Sequence, residues 1–262
     1  MEWTPKYIFA DDFRSLEGYF AAAPHKDVSF RKGDYLWEPG EPFDRIHYIR
    51  SGVVENYLIH ENGHRKILSF HAGGTIFPGF HYLHYKIEES LLSRAMTHVQ
   101  AYEFTQAQFA QLFEANPALV RRVIDWFSSY TNLLIYDGAH QEYNSSFVRL
   151  CNLLYLLKLS EVGRRNMLQD LTQEELADTL GVSLINVSRG LTQLRRLGII
   201  ETKRKTITIL EPERLMQLCP GKPCPRLPYR YTKFLSSLPH QMINNKSFPT
   251  QNSRFTPPVA RQ

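Results

Sequence analysis

Six residues in seven positions carry the chain's most specific chemistry: Ser183, Leu184, Ile185, Asn186, Ser188 and Arg189. An Asn amide can pair two hydrogen bonds with adenine, and an Arg guanidinium suits guanine or a phosphate. Serine hydroxyls reach phosphate oxygens, and apolar Leu184 and Ile185 suit thymine methyl groups. A little downstream, Lys203, Arg204 and Lys205 place three cations in a row. Together these are groups that could hold a duplex by its phosphates and read it by its base edges.

Such side chains work only if an element presents them. Thr172 can cap a helix, with Glu175 three residues on as its reciprocal partner. Leu176, Ala177 and Leu180 then share one helical face. Gly181 stands where that helix must stop. Ser183 can cap a second helix, whose Val187, Leu191 and Leu194 point inward. Two short helices so joined cross, and the second faces outward. This is a helix-turn-helix. Leu197 to Ile200 leads into Glu201–Leu210, two β-type runs around the Lys203-Arg204-Lys205 tip, which reads as a wing. Gly190 interrupts the second helix at a cost of about 1 kcal/mol relative to Ala. Close packing against the first helix is one reason a glycine could be kept there.

The chain has 262 residues, a formal net charge of +5, a pI near 9.0 and 43% hydrophobic residues. That length fits two domains with extras, and the composition is globular. Three cysteines (Cys151, Cys219, Cys224) make no disulfide framework and fit a reducing cytoplasm. The first residues lack a signal-peptide pattern, and no apolar run is long enough to span a membrane. Cys219 and Cys224 frame a CxxxxC, read here as free thiols.

The chain divides into five segments. Residues 1–25 are a lead-in, with a short helix over Asp12–Ala22 and aromatics (Phe9, Phe13, Tyr19, Phe20) that pack on the next domain. Residues 26–110 are a β domain: turn signals recur every ~8–12 residues, as in a sandwich or barrel. Asn62-Gly63, between Val53–His60 and His64–Phe70, marks a hairpin. Residues 111–143 are a long helix. It comes after Asn116-Pro117 and carries Val120, Val123, Ile124, Phe127, Tyr130, Thr131 and Leu134 as an apolar stripe. Such a stripe can pack on its own β domain or on the same helix of a second copy; we assign Val120, Val123, Ile124, Phe127, Thr131 and Leu134 to a homodimer seam, since DNA-reading modules commonly work as twofold pairs on twofold sites. Residues 144–212 are the winged helix-turn-helix, opened by a helix over Phe147–Leu159. Residues 213–262 are an extension rich in Pro, Asn, Ser and Arg, expected to be partly disordered. The fold class is α+β.

In this order the parts resemble the Crp/Fnr family of transcription regulators, over residues 26–212. The resemblance is carried by Phe30 to Asp34 with Glu38 to Glu41 and Ile49 to Gly52. It is carried also by Ala72 to Gly79 with Ser93 to Thr97, and by Gly181 to Ser183 with Val187 to Arg189. It implies a cyclic-nucleotide-binding-like β-roll that senses an effector, a dimerisation helix, a DNA-binding domain, and RNA polymerase as a further partner. The effector would shift the dimer between states that bind DNA well or poorly.

The resemblance also marks departures. Cyclic-nucleotide members carry Gly-Glu and later Arg-Ser; here Phe77-Pro78 and Glu89-Ser90 stand in those places, so cyclic AMP is not expected. No cysteine precedes Cys151, so no N-terminal iron–sulfur cluster is expected. His47, His60, His64, His71, His81, His84 and His98 leave haem or a metal as an alternative, without compact ligand spacing. A degenerate sensor on a constitutive DNA-binding protein is a second alternative. His81, His84 and Glu88 lack the spacing of a cupin-type metalloenzyme, so no enzyme is expected. The departures resemble those of the halorespiration regulators, which sense halogenated aromatic acids. The expected effector is therefore a small organic, aromatic and anionic molecule. Its candidate contacts are Gly73, Gly74, Thr75, Ile76, Phe77, Gly79, Arg94, Phe127 and Tyr130, with the Gly73–Gly79 N–H groups as an anion nest. Family members also present Arg-Glu where Leu184 and Ile185 stand, so an A/T-rich palindrome is expected.

Overall fold

The computed structural model describes residues 5–37, 44–77, 91–160, 171–203 and 206–219. Strands are β1 (Ile8–Phe9), β2 (Lys26–Phe30), β3 (Arg45–Ser51), β4 (Val53–Ile59), β5 (Arg65–Ala72), β6 (Thr75–Phe77), β7 (Leu91–Ala95) and β8 (Val99–Thr105). They form two four-stranded sheets, ordered β1-β5-β4-β7 and β2-β8-β3-β6. The Asn62-Gly63 turn joins β4 to β5, with Gly63 at φ 85° and its N–H on the His60 carbonyl. Positive φ is the conformation glycine takes without strain.

The lead-in differs from expectation. Its helix α1 covers only Glu17–Ala22, after a 3-10 turn at Arg14–Leu16. Ahead of these, β1 pairs in parallel with β5, Ile8 beside Phe70 and Phe9 beside His71. Two residues are too short for a periodicity signal, so this strand is visible only in three dimensions. The expected aromatic packing holds for Phe9, Phe13 and Phe20, all fully buried.

Helices α2 (Gln106–Ala115) and α3 (Pro117–Tyr143) start at side-chain caps: Thr105 in a capping box with Gln108, and Asn116 before Pro117. Then come α4 (Ser146–Leu159), α5 (Gln173–Leu180) and α6 (Leu184–Arg196). Strands β9 (Ile200–Lys203) and β10 (Thr206–Ile209) pair antiparallel as the wing. A further helix, α7 (Pro212–Gln217), buries Leu215, and the Tyr155 hydroxyl reaches the Met216 sulfur at 3.3 Å. The DNA-binding domain thus runs past residue 212, and the extension opens with a helix of that domain. The rest of the extension, Cys224 included, lies outside the described residues.

Helix α3 buries Leu119, Val123, Trp126 and Leu133 against its own chain. Ile124 (57% exposed), Leu134 and Ile135 (66%) stay on the outside. Val123, assigned from sequence to a dimer seam, is only 4% exposed and belongs to the inner face. The sequence stripe mixed residues of two faces.

Candidate DNA interface and sensor site

The reading helix is built by local chemistry. Thr172 Oγ1 accepts from the Glu175 N–H while the Glu175 carboxylate accepts from the Thr172 N–H. Gly181 ends α5 in the left-handed region at φ 61°. The Ser183 hydroxyl then caps α6 through the Asn186 N–H. Val187, Leu191 and Leu194 turn into the core, and Leu184, Ile185 (62% exposed), Asn186, Ser188 and Arg189 stand outward with Ser183. Two large apolar side chains at an exposed helix start have no partner among the described residues, and thymine methyl groups would suit them. Arg195 braces the wing, donating to Thr202 and Thr192 at 2.8 Å each. Lys203 is exposed and paired with Glu201 at 2.8 Å. Arg204 and Lys205 lie outside the described residues.

Gly190 faces α4, not α5, the first helix of the helix-turn-helix. A Cβ there would lie 2.6 Å from Leu150 Cδ2 and 3.6 Å from Phe147 Cδ2. Glycine lets α6 sit directly on α4.

In the roll, the expected effector contacts divide. Arg94 is committed elsewhere: its Nε donates at 2.7 Å to the fully buried Glu55. Arg65 holds the other Glu55 oxygen at 3.0 Å. Burial pushes the Glu55 carboxyl up, and the two guanidiniums oppose that. The anion nest is likewise corrected. The Gly74 N–H donates to the Ile49 carbonyl, and the Gly73 and Gly74 carbonyls accept from Asp11 and Phe13. A Cβ on Gly74 would lie 2.9 Å from Asp11, and one on Gly73 would lie 2.7 Å from the Arg50 carbonyl. Gly74 thus lets the N-terminal segment pack closely, and Gly73 lets the end of β3 do so. Thr75, Ile76 and Phe77 are buried on β6 and paired with β3. Gly79, Pro78, His81, His84, Glu88, Glu89 and Ser90 lie outside the described residues.

What gathers instead is a ring cluster around His71. Phe9 stacks on it at 5.4 Å, Phe77 lies 4.5 Å away, and Trp126 and Tyr130 come next at 5.9 and 6.5 Å. Phe127 meets Trp126 edge-on at 5.1 Å, half-buried behind that ring. Ser69 Oγ lies 2.9 Å from His71 Nε2, and Asn56 donates to the Tyr130 hydroxyl at 3.4 Å. Burial, aided by the Lys6 charge, pulls the His71 pKa down to about 3, so the ring is neutral. His71 and Trp126 had no place in the sequence-derived site. The signal was there for Trp126: Leu119, Val123, Trp126, Tyr130 and Leu133 recur at spacings of three and four. Among the described residues no three His, Cys, Asp or Glu side chains gather as a metal site.

The two halves touch. Lys66 Nζ on β5 donates to the Thr179 carbonyl near the end of α5 at 2.6 Å and pairs with Asp137 of α3 at 2.7 Å. A cation there complements the partial negative charge of a helix C-terminus. Arg65 adds Asp178 at 3.4 Å, and the Tyr7 hydroxyl donates to Asp137 at 2.7 Å.

A β-roll joined by a long helix to an outward-facing winged helix-turn-helix defines a DNA-binding regulator that carries its own sensor domain. Residues 27–116 match the cyclic nucleotide-binding domain, and residues 148–218 match the Crp-like helix-turn-helix domain. The chain belongs to the Crp/Fnr family of transcription regulators. It is 25% identical over 201 residues to the nitrogen fixation regulation protein FixK of Rhizobium meliloti (strain 1021), covering 76% of this chain and 89% of that one. It is 26% identical over 203 residues to the fumarate and nitrate reduction regulatory protein of Yersinia pestis, covering 75% and 79%. Its fold is similar to FixK2 from Bradyrhizobium japonicum (TM-score 0.64, 19% identity, 76% of this chain and 99% of that). It is also similar to OCPA-complexed CprK (TM-score 0.63, 19% identity, 80% and 98%). No described helix is long and apolar enough to cross a membrane.

Proposed function

We propose that the protein is an effector-gated transcription regulator that binds, as a homodimer, an A/T-rich palindromic operator. The outward face of α6 carries this reading: apolar Leu184 and Ile185 beside Asn186 and Arg189, all exposed. Half-sites should lie about one helical turn apart, as for other paired helix-turn-helix modules. Val120, Ile124, Phe127, Thr131 and Leu134 would form the seam between protomers. The effector is a small organic molecule held in the roll rather than a cyclic nucleotide. Arg94, the candidate anion partner, faces Glu55 instead.

The test is operator affinity on a sequence selected from random DNA, measured with and without aromatic compounds, cyclic AMP and haem. A tenfold or larger change with one aromatic class, on the order of common allosteric couplings, supports gating. No change with any of them leaves a constitutive DNA-binding protein. Arg189→Ala should cost about 1–3 kcal/mol of specific affinity. Unchanged binding would remove Arg189 from the reading set.

A further inference from the structure

Three buried polar atoms surround the ring cluster without a hydrogen-bond partner: His71 Nδ1, Thr75 Oγ1 and Trp126 Nε1. Their residues are 0%, 0% and 3% exposed, so water does not serve them from outside. Buried polar groups are almost always satisfied, and each exception needs a reason. They come from β5, β6 and α3, three elements that meet at the cluster: the Trp126 ring lies 5.9 Å from that of His71, and Thr75 shares the β6 face of Phe77, whose ring lies 4.5 Å from His71.

Their chemistry defines a guest. The indole N–H can only donate, so it needs an acceptor. His71 Nε2 is engaged by Ser69, which leaves Nδ1 to be answered by the complementary group. Thr75 can do either. One hydroxyl or one amide, which both donates and accepts, answers such a set. The neighbouring side chains are flat rings, Phe9, Phe77 and Tyr130 among them, so a guest that fits between them has a flat and apolar body.

Charge is the other constraint. Arg94 and Arg65 are spent on Glu55, Lys6 is paired with Asp12, and the Gly74 N–H is bound to Ile49. Among the described residues no uncommitted cation faces the cluster. A carboxylate placed there would lose its water without gaining a counter-charge.

We propose that the ring cluster of Phe9, His71, Thr75, Phe77, Trp126 and Tyr130 is the effector site and takes an uncharged, flat aromatic molecule with one hydroxyl or amide on its edge. This rests on the effector-gated function proposed for the chain and replaces the anionic ligand expected from sequence.

The experiment titrates the full chain by calorimetry with phenol and benzamide, and with benzoate and cyclic AMP as charged comparators. Phenol and benzamide should bind one site per chain, with benzoate and cyclic AMP weaker by about tenfold or more. Thr75→Val, which keeps shape, and Trp126→Phe, which keeps an aromatic ring of smaller size, each remove a hydrogen-bonding group and should each weaken phenol about tenfold. Benzoate binding as tightly as phenol, unaltered affinity in both variants, or no binding of either neutral probe would overturn the proposal. If a variant fails to fold, the parent answers alone. A nuclear Overhauser effect between the Trp126 indole N–H and the phenol ring supports the site, and its absence under saturation refutes it. Operator affinity is followed in parallel. Phenol bound at Trp126 without any change in operator affinity keeps the site and sinks the gating. Operator affinity that answers benzoate alone keeps the gating and sinks the site.

Discussion

His71 shows how far one side chain can be moved by its setting. Its folded pKa is about 3 against an ordinary 6.5, chiefly because burial penalises the charged ring. Between those values the unfolded chain binds a proton that the folded chain refuses. The stability contributed by the neutral ring is therefore complete above pH 6.5 and is lost as pH falls toward 3. His71→Phe keeps a flat ring and removes the titration. Urea unfolding across a pH series should show a shallower acid limb for the variant than for the parent. Parallel limbs would mean that His71 is not the group responsible. The outward residues of α6 could be placed from sequence because each depends on near neighbours: a cap at Ser183, inward residues three and four apart, and outward residues between them. Arg94 could not be placed, because its partner Glu55 lies 39 positions away and meets it only when β4 and β7 pair.

At the scale of elements, helix starts were legible and helix faces were not. Thr105, Asn116, Thr172 and Ser183 announce their helices because a cap bonds within three residues. The inner face of α3 does repeat at spacings of three and four, but apolar residues continue around the helix, so spacing alone does not say which of the two faces meets the roll. Its outer residues carry a prediction. Ile124→Glu leaves the inner face intact and should halve the mass seen by light scattering, if α3 pairs with its copy. An unchanged dimer mass would move the seam elsewhere. The crossing of α4 and α6 carries another. Gly190→Ala gains about 1 kcal/mol of helix propensity but forces Leu150 out of a filled core, where overpacking costs about 1–3 kcal/mol. Denaturant unfolding should show a net loss of about 1 kcal/mol; a stabilised variant would mean Leu150 yields freely.

For the whole molecule, β5 is the shared part. Its first residues, Arg65 and Lys66, hold α5 of the DNA-binding domain, and its last residues carry His71 into the ring cluster. Burial lowers the Lys66 pKa while Asp137 raises it, so the ammonium depends on that carboxylate. Lys66→Met should speed amide exchange at the end of α5 and leave the β3–β8 ladder unchanged. Equal protection in α5 would show that the contact contributes little to docking. The N-terminal strand has a consequence of a different kind. Phe9 lies across His71, Trp126 and Tyr130 on β1, a strand of two residues that is tied down on either side by the Tyr7 hydroxyl on Asp137 and the Asp11 and Phe13 N–H groups on Gly73 and Gly74. A molecule reaching those rings from that side must wait for β1 to lift. The mark of this is in time rather than in strength: as ligand is raised, the observed rate of binding should climb and then level off at the rate of that lifting.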